Sequence, residues 1–405
     1  MASFFATYKG LDRRILILAG GRAVNTMAFS IVMPFLAMYL VEKRGASGAV
    51  YGLVYLVSGL CAAAGNAAAG EASDRFGRHR MMLAALLLRG ANMVALGTAV
   101  LLDASIFVLG GLVVMNGILR SLFDPAAAAA VSELAPPERR AAAFGLQRIG
   151  INLGWALGPA LGGALAAAHS YGLLFFASAG IMLAAAFLIS RVPDLGGGGG
   201  HDPEDVGRLT LASLRAAVAK NRRFFIYLGL VFLGSVMTVQ IFATLSVYSR
   251  TEVGLSQAEI GLLYTVNGVL VVLLQIPAVA LIERGGPRRA LTIGPAVYAL
   301  AFLVVGASHS FGQLAFAIAV ITAAEVIFAP ALSDMAAHLG DPRHLGRAFG
   351  LFGLMQQFGL SMGPLVGGLL YDHLRTRPLL MWGTLSAGMA VLGLGYALFA
   401  RRYLS

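Results

Sequence analysis

Apolar stretches of bilayer-spanning length follow one another along almost the whole chain. A hydrocarbon core of roughly 30 Å needs about 20 apolar residues per helix. Twelve runs meet that length: 15–40, 50–70, 81–102, 106–131, 143–168, 172–190, 224–248, 258–282, 290–308, 311–337, 348–370 and 379–400. Apolar residues make up 58% of the chain and charged residues 12%, against about 25% charged in soluble domains. A mean hydropathy of +0.80 excludes a soluble enzyme, a disulfide scaffold and a disordered chain. The expected fold is an all-α integral membrane protein with twelve transmembrane helices. Gly and Pro fall inside many runs, as membrane helices tolerate.

The longest polar stretch separates spans six and seven. It holds the flexible run Gly196–Gly200, the acidic 201–205 and a mildly amphipathic 209–220. The chain thus divides into a six-helix half at 1–191, a linker at 192–223 and a second half at 224–405. With the N-terminus taken as cytoplasmic, 21 of the 30 Lys and Arg lie in cytoplasmic segments and 5 in external loops. The positive-inside rule then places both termini inside. The net charge of +11 builds no basic face, so nucleic acid is not an expected partner. Cys61 is the single cysteine. The first apolar run is too long for a cleavable signal peptide. None of the three lysines follows a glycine, so no phosphate-binding loop for an ATP-driven pump is present.

The halves resemble each other. Ala143-Phe144-Gly145-Leu146 recurs as Ala348-Phe349-Gly350-Leu351. Gly154, Gly158, Pro159, Gly162 and Gly163 recur as Gly359, Gly363, Pro364, Gly367 and Gly368, all offset by 205. The loop Asp74–Arg80 has a looser partner in Glu283–Arg289, offset by 209. Parallel six-helix repeats are the plan of a rocking-bundle transporter with its site between the halves. The stretch Gly70-x-x-x-Asp74-Arg75-x-Gly77-Arg78-x-Arg80 resembles the signature loop of the major facilitator superfamily. The Gly-Pro pattern in span five is similar to the antiporter motif of that family's drug–proton antiporters. One departure lies in span four. Those exporters carry an Arg three residues before a Gln-Gly pair. Here the pair is Asn116-Gly117, the Arg position is Val113, and Arg120 lies one turn further on.

The resemblance implies a gating loop. Asp74 would accept from the free N–H groups at the start of span eleven, and Arg78 would pair with Glu133, holding the outward-facing state. Simple positive-inside anchoring explains the arginines but not Asp74. Gly154, Gly158 and Gly162 share one helix face and admit a close neighbour, while Pro159 removes a helical hydrogen bond. Tight packing and a hinge or proton seal both fit that pattern.

Ionisable residues inside spans are functional hypotheses by default. They are Arg22, Arg89, Arg120, Asp124, Arg148 and Glu325. Arg120 and Glu325 occupy equivalent repeat positions, and the resemblance implies that spans one, four, seven and ten line the cavity. Glu325 is the first candidate proton carrier, the other reading being a static ion pair with Arg120 or Arg22. Asp124 is the second, or it neutralises Arg148 or Arg120. Arg89 and Arg148 either snorkel or bond helix carbonyls. Four arginines against two acids leave an excess of positive charge, which suits an anionic cargo. Arg22, Asn25, Asn116, Arg120, Met237, Gln240, Tyr264, Asn267, Gln356 and Gln357 are the expected cavity residues, with Met27 and Phe242 beside them. Flexible and aromatic surfaces suit polyspecific binding.

The expected function is therefore proton-driven export of amphiphilic small molecules from a bacterial inner membrane. The partners are the substrate, protons and the bilayer. The proton gradient is the energy source, no metal or cofactor is expected, and the chain acts as a monomer. Three alternatives stay open: export of an anionic metabolite or lipid held by Arg22 and Arg120, a non-transporting receptor or assembly protein, and a proton-coupled importer.

Overall fold

A computed structural model describes residues 11–136, 139–168, 171–192, 221–340 and 345–403. The Gly196–Gly200 tether and the segment 209–220 lie outside the described residues, as do the side chains of Gly70 and Asp74. Among the described residues no strand occurs. The helices are α1 (Arg13–Met38), α2 (Gly48–Phe76), α3 (Arg78–Leu101), α4 (Ile106–Leu134), α5 (Arg140–Ala168) and α6 (Tyr171–Ser190). Then come α7, in two pieces (Arg222–Thr238 and Ala243–Thr251), α8 (Gln257–Gly285), α9 (Pro287–Gly306), α10 (Phe311–Leu339), α11 (Leu345–Leu374) and α12 (Pro378–Tyr403). With α7 counted whole, eleven of them are long and apolar enough to cross a membrane. The remaining one, α11, carries Gln356 and Gln357 at its middle.

Packing repeats between the halves. In the first, α1 packs on α5, α3 on α6, and α2 on α4; in the second, α7 packs on α11, α9 on α12, and α8 on α10. The halves meet where α2 lies against α11 and where α5 lies against α8. The loop glycines repeat as well. Gly77, φ 90°, ends α2 and starts α3, while Gly286, φ 77°, does the same for α8 and α9. Both sit in the left-handed region that glycine occupies without a Cβ clash.

Two departures from the expected helices matter. α1 continues past Met38 as a π-helical turn, Tyr39–Lys43. Span seven breaks at the 3-10 turn Val239–Ile241 although neither Gly nor Pro lies there. Polar side chains satisfy backbone groups around the break, as membrane helices require. Gln240 Nε2 donates to Val236 O at 2.7 Å and to Gly363 O at 2.9 Å. Tyr264 Oη donates to Ile241 O and Phe242 O, both at 2.8 Å.

The halves are closed together at the end away from both chain termini. A Cβ at Gly368 would lie 1.9 Å from Gly48 O, and one at Gly261 would lie 2.4 Å from Pro159 O. Gly52 meets Pro364 O and Gly268 meets Ala156 in the same manner. These are backbone-to-backbone contacts that only glycine admits. Three of the free N–H groups at the start of α2 are satisfied. Ser47 accepts from Val50 N, and Asp372 of α11 accepts from Gly48 N at 2.6 Å and Ala49 N at 2.9 Å. Glu42, on the π turn, accepts from Arg250 Nη2 at 3.1 Å and Arg250 Nε at 3.2 Å. Tyr171 Oη donates to Glu42 at 3.2 Å and accepts from Gln257 Nε2 at 2.8 Å.

Candidate functional site

Below this seal lies a cavity of about 200 Å³. Its walls come from α1, α2, α3, α4 and α5 on one side and α7 and α11 on the other. Aromatic rings form its floor across the two halves. Trp155 meets Phe29 edge-on at 6.1 Å and Phe242 at 4.7 Å, and Phe242 stacks on Tyr264 at 6.0 Å. Such pairs combine large apolar area with fixed geometry. Val239, Phe242 and Leu360 also border a second chamber of about 170 Å³, which holds Glu325 and Gln356.

Polar groups on these walls are few. Arg120 sits in the first-half wall with its guanidinium 5.4 Å from the Phe29 ring centre, a cation–π contact. Glu325 sits in the second-half wall. It accepts one hydrogen bond, from Asn267 Nδ2 at 3.2 Å, and that amide also donates to Thr322 Oγ1 at 2.9 Å. Among the described residues Glu325 forms no ion pair, so the expected static pairing with Arg120 or Arg22 does not occur. Gln357 lines the main cavity and donates to Ser361 at 3.3 Å.

Several expected cavity residues do other work. Asn25 is buried and accepts from Arg89 Nη1 at 2.6 Å. Asn116, which does line the cavity, accepts from Arg89 Nε at 3.3 Å. Arg89 therefore neither snorkels nor bonds a helix carbonyl; it ties α1 and α4 to α3 through two amides. Gln240 and Tyr264 support the break in α7 rather than lining the cavity. Met237 packs its Sδ against Gly388 of α12. Arg22 lies deeper toward the termini and pairs with Asp124 at 2.7 Å. Asp124 is thus neutralised by Arg22, not by Arg148 or Arg120.

The residues missing from the sequence reading are chiefly Phe29, Tyr55, Met33, Met93 and Trp155. Trp155 directly follows Gly154 of the repeated glycine pattern, on a helix that mixes small, large apolar and polar residues, and nothing there marks it as facing a cavity. The others sit in spans that are apolar on every side, where nothing marks a cavity face.

The two motif regions have definite neighbours. Arg78 Nε donates to Glu133 at 3.1 Å, and Arg78 Nη1 donates to Ser73 Oγ at 3.0 Å. Arg75 lies 5.7 Å from the Phe76 ring, and Arg80 is exposed. The side chain of Asp74 lies outside those described, and with it the expected contact to the start of α11. Gly154, Gly158 and Gly162 press α5 onto α1, with Ser30 Oγ donating to Gly154 O at 2.9 Å. Gly163 faces the other way, onto Gly261 and Gln257 of α8.

Comparison with known proteins agrees with this architecture. The profile of the Major Facilitator Superfamily matches residues 18–258 and 241–404. The chain belongs to the Major Facilitator Superfamily. It is a transporter, not an enzyme, and it crosses the membrane many times. It is 28% identical to the uncharacterized MFS-type transporter YqjV of Bacillus subtilis, over 94% of this chain and 92% of that one. It is 26% identical to the multidrug resistance protein MdtH of Klebsiella pneumoniae strain MGH 78578, covering 89% of this chain and 88% of the relative. Among solved structures, the nucleoside transporter NupG superposes with a TM-score of 0.77 at 14% identity, covering 97% of this chain and all of NupG. A bacterial homologue of the lysosomal transporter Spinster gives 0.75 at 16% identity, covering 96% and 97%. These superpositions speak for the fold alone.

Proposed function

We propose that this transporter exports amphiphilic small molecules in exchange for protons. The observation that carries the reading is an aromatic, mostly apolar cavity beside a second chamber whose acidic residue, Glu325, accepts one amide hydrogen bond and forms no ion pair among the described residues, with Arg148 acting on it only through space. A carboxyl in that setting gains or loses a proton without breaking an ion pair. Such a cavity holds unlike apolar molecules by area and stacking rather than by fixed polar contacts. The name of the MdtH relative supports the same cargo class.

In this reading both termini are cytoplasmic, the membrane is the bacterial inner membrane, and the closed end faces outward. Cargo enters from the cytoplasmic side. The halves, 1–191 and 224–405, rock about the cavity while the linker 192–223 keeps them together. Glu325 takes a proton when the cavity opens outward and releases it when the cavity reopens inward. Asp124 is held by Arg22 and serves as a secondary carrier only if that pair opens. The Arg78–Glu133 contact belongs to the gating loop. The proton gradient supplies the energy, and the transporter works as a monomer.

The test is dye efflux in everted vesicles with an imposed pH gradient, comparing wild type with Glu325→Gln. Efflux that collapses with the gradient and with the substitution supports the reading; gradient-driven efflux that survives Glu325→Gln removes Glu325 from the coupling role. One observation favours a second reading. Among the described residues Arg120 faces the cavity with a ring contact and no hydrogen bond or ion pair, so it can hold an anionic cargo, and Arg120→Ala would then abolish binding rather than alter coupling.

A further inference from the structure

A separate pocket of about 460 Å³ lies between α1, α4 and α5, on the terminus side of the central cavity. Arg22 lines it, seven residues before Phe29, or about 10 Å along a helix. None of its lining residues borders the central cavity or the Glu325 chamber. Its polar groups are Arg22, Asp124, Gln147, Arg148 and Asn152.

Three observations give this pocket a charge preference. Gln147 is 9% exposed, and its Nε2 has no hydrogen-bond partner. A buried N–H left unpaired is costly, and a turn of the amide toward an acceptor in the pocket removes that penalty. Arg148 makes no hydrogen bond or ion pair among the described residues. It shares a helix face with Asn152, four residues on. Arg22 uses Nη1 on Asp124 Oδ1. Among the lining residues two guanidiniums face one carboxylate, a net positive charge that a single negative charge would cancel, while Glu325 of the other half acts on Arg148 through space from outside the pocket. Phe144 and Ile151 line the same pocket and offer apolar surface beside the charged end.

We propose that this pocket is an anion site that takes the singly charged head group of an amphiphile. The negative oxygens sit between Arg148 and the unpaired Gln147 N–H, with Asn152 as a further donor. The alkyl part lies on Phe144 and Ile151. Arg148 gives charge-assisted hydrogen bonds in a planar fork that matches carboxylate, sulfate or phosphate oxygens. The proposal does not depend on what the central cavity carries. Two sources share this chemistry: an anionic cargo in transit and an anionic lipid of the surrounding leaflet.

The experiment uses the full chain in phosphatidylcholine nanodiscs, with octyl sulfate as probe and octyltrimethylammonium and inorganic sulfate as comparisons. Saturable octyl sulfate binding is expected, weakened about tenfold or more by Arg148→Gln and by Gln147→Leu. Neither variant endangers folding, since one removes an exposed guanidinium that makes no hydrogen bond or ion pair among the described residues and the other a buried amide whose Nε2 has no partner there. Equal binding of octyl sulfate to wild type and both variants overturns the proposal. So does octyltrimethylammonium binding that competes equally. Discs containing phosphatidylglycerol separate the sources. A loss of apparent octyl sulfate affinity in wild type but not in Arg148→Gln assigns the site to lipid; unchanged affinity assigns it to cargo.

Discussion

Replacing Asp372 tests how the far end of the bundle is held shut. Its carboxylate spans the interface between halves and accepts from Gly48 N at 2.6 Å and Ala49 N at 2.9 Å. Hydrogen bonds to a charged group contribute about 1.5–3 kcal/mol when protected from water, and an anion at a helix N-terminus adds about 0.3–1 kcal/mol. Asp372 is exposed, so solvent screening lowers the total to roughly 1.5 kcal/mol. Asp372→Ala should therefore raise the ratio of open to closed far ends about tenfold. Asp372→Asn keeps one acceptor and should give a smaller shift. Spin labels at Leu102→Cys and His309→Cys, in a Cys61→Ser background, report on the opening. These positions sit in far-end turns of opposite halves, and both are exposed. A distance distribution in Asp372→Ala identical to that of the parent would refute the reasoning. An Asn variant that opens more than the Ala variant would refute the assigned role of the charge.

Other outcomes follow from the same geometry. Gly368→Ala places a methyl 1.9 Å from Gly48 O; it should hold the same label pair apart and stop transport while leaving the protein foldable in its open form. Trp155 lines the cavity whereas Trp382 is 0% exposed, so ligand-induced fluorescence changes should vanish in Trp155→Phe and persist in Trp382→Phe. Tyr264→Phe leaves two carbonyls at the α7 break without their shared donor; a loss of about 1–3 kcal/mol should appear as a lower thermal midpoint. Arg78→Gln removes the contact with Glu133 and should raise thiol labelling at Ala72→Cys in a Cys61→Ser background; unchanged labelling would show that the contact does not restrain the loop.

The twelve helices were legible because each bilayer crossing demands its own apolar run. The division into repeats was legible because Gly77 and Gly286 make the same turn, and because Gly163 and Gly368 make equivalent contacts. The site was legible only in part. Arg22 and Asp124 are 102 residues apart, and their pairing depends on how α1 and α4 cross. Asn25, Gln240 and Tyr264 read as cavity residues because a polar side chain in an apolar span is conspicuous; each instead answers a backbone or guanidinium group. The break in α7 had no Gly or Pro to announce it, since its stabilising groups come from a glutamine inside the turn and a tyrosine on α8. Phe29, Tyr55 and Trp155 were hidden for the opposite reason. A membrane helix is greasy on its lipid side too, so an aromatic residue facing a cavity carries no mark.

The glycine seam has a bearing on selectivity. Where Gly48 meets Gly368 and Gly163 meets Gly261, the touching atoms are main chain on both sides. No rotamer is available there to adjust, and no side chain is present to sense what sits below. Closure is therefore a hard stop with one fixed geometry, indifferent to the shape of the passenger. Recognition falls to the cavities below the seam, so altered cargo range should arise from substitutions at their walls, while substitutions along the seam switch the whole cycle on or off.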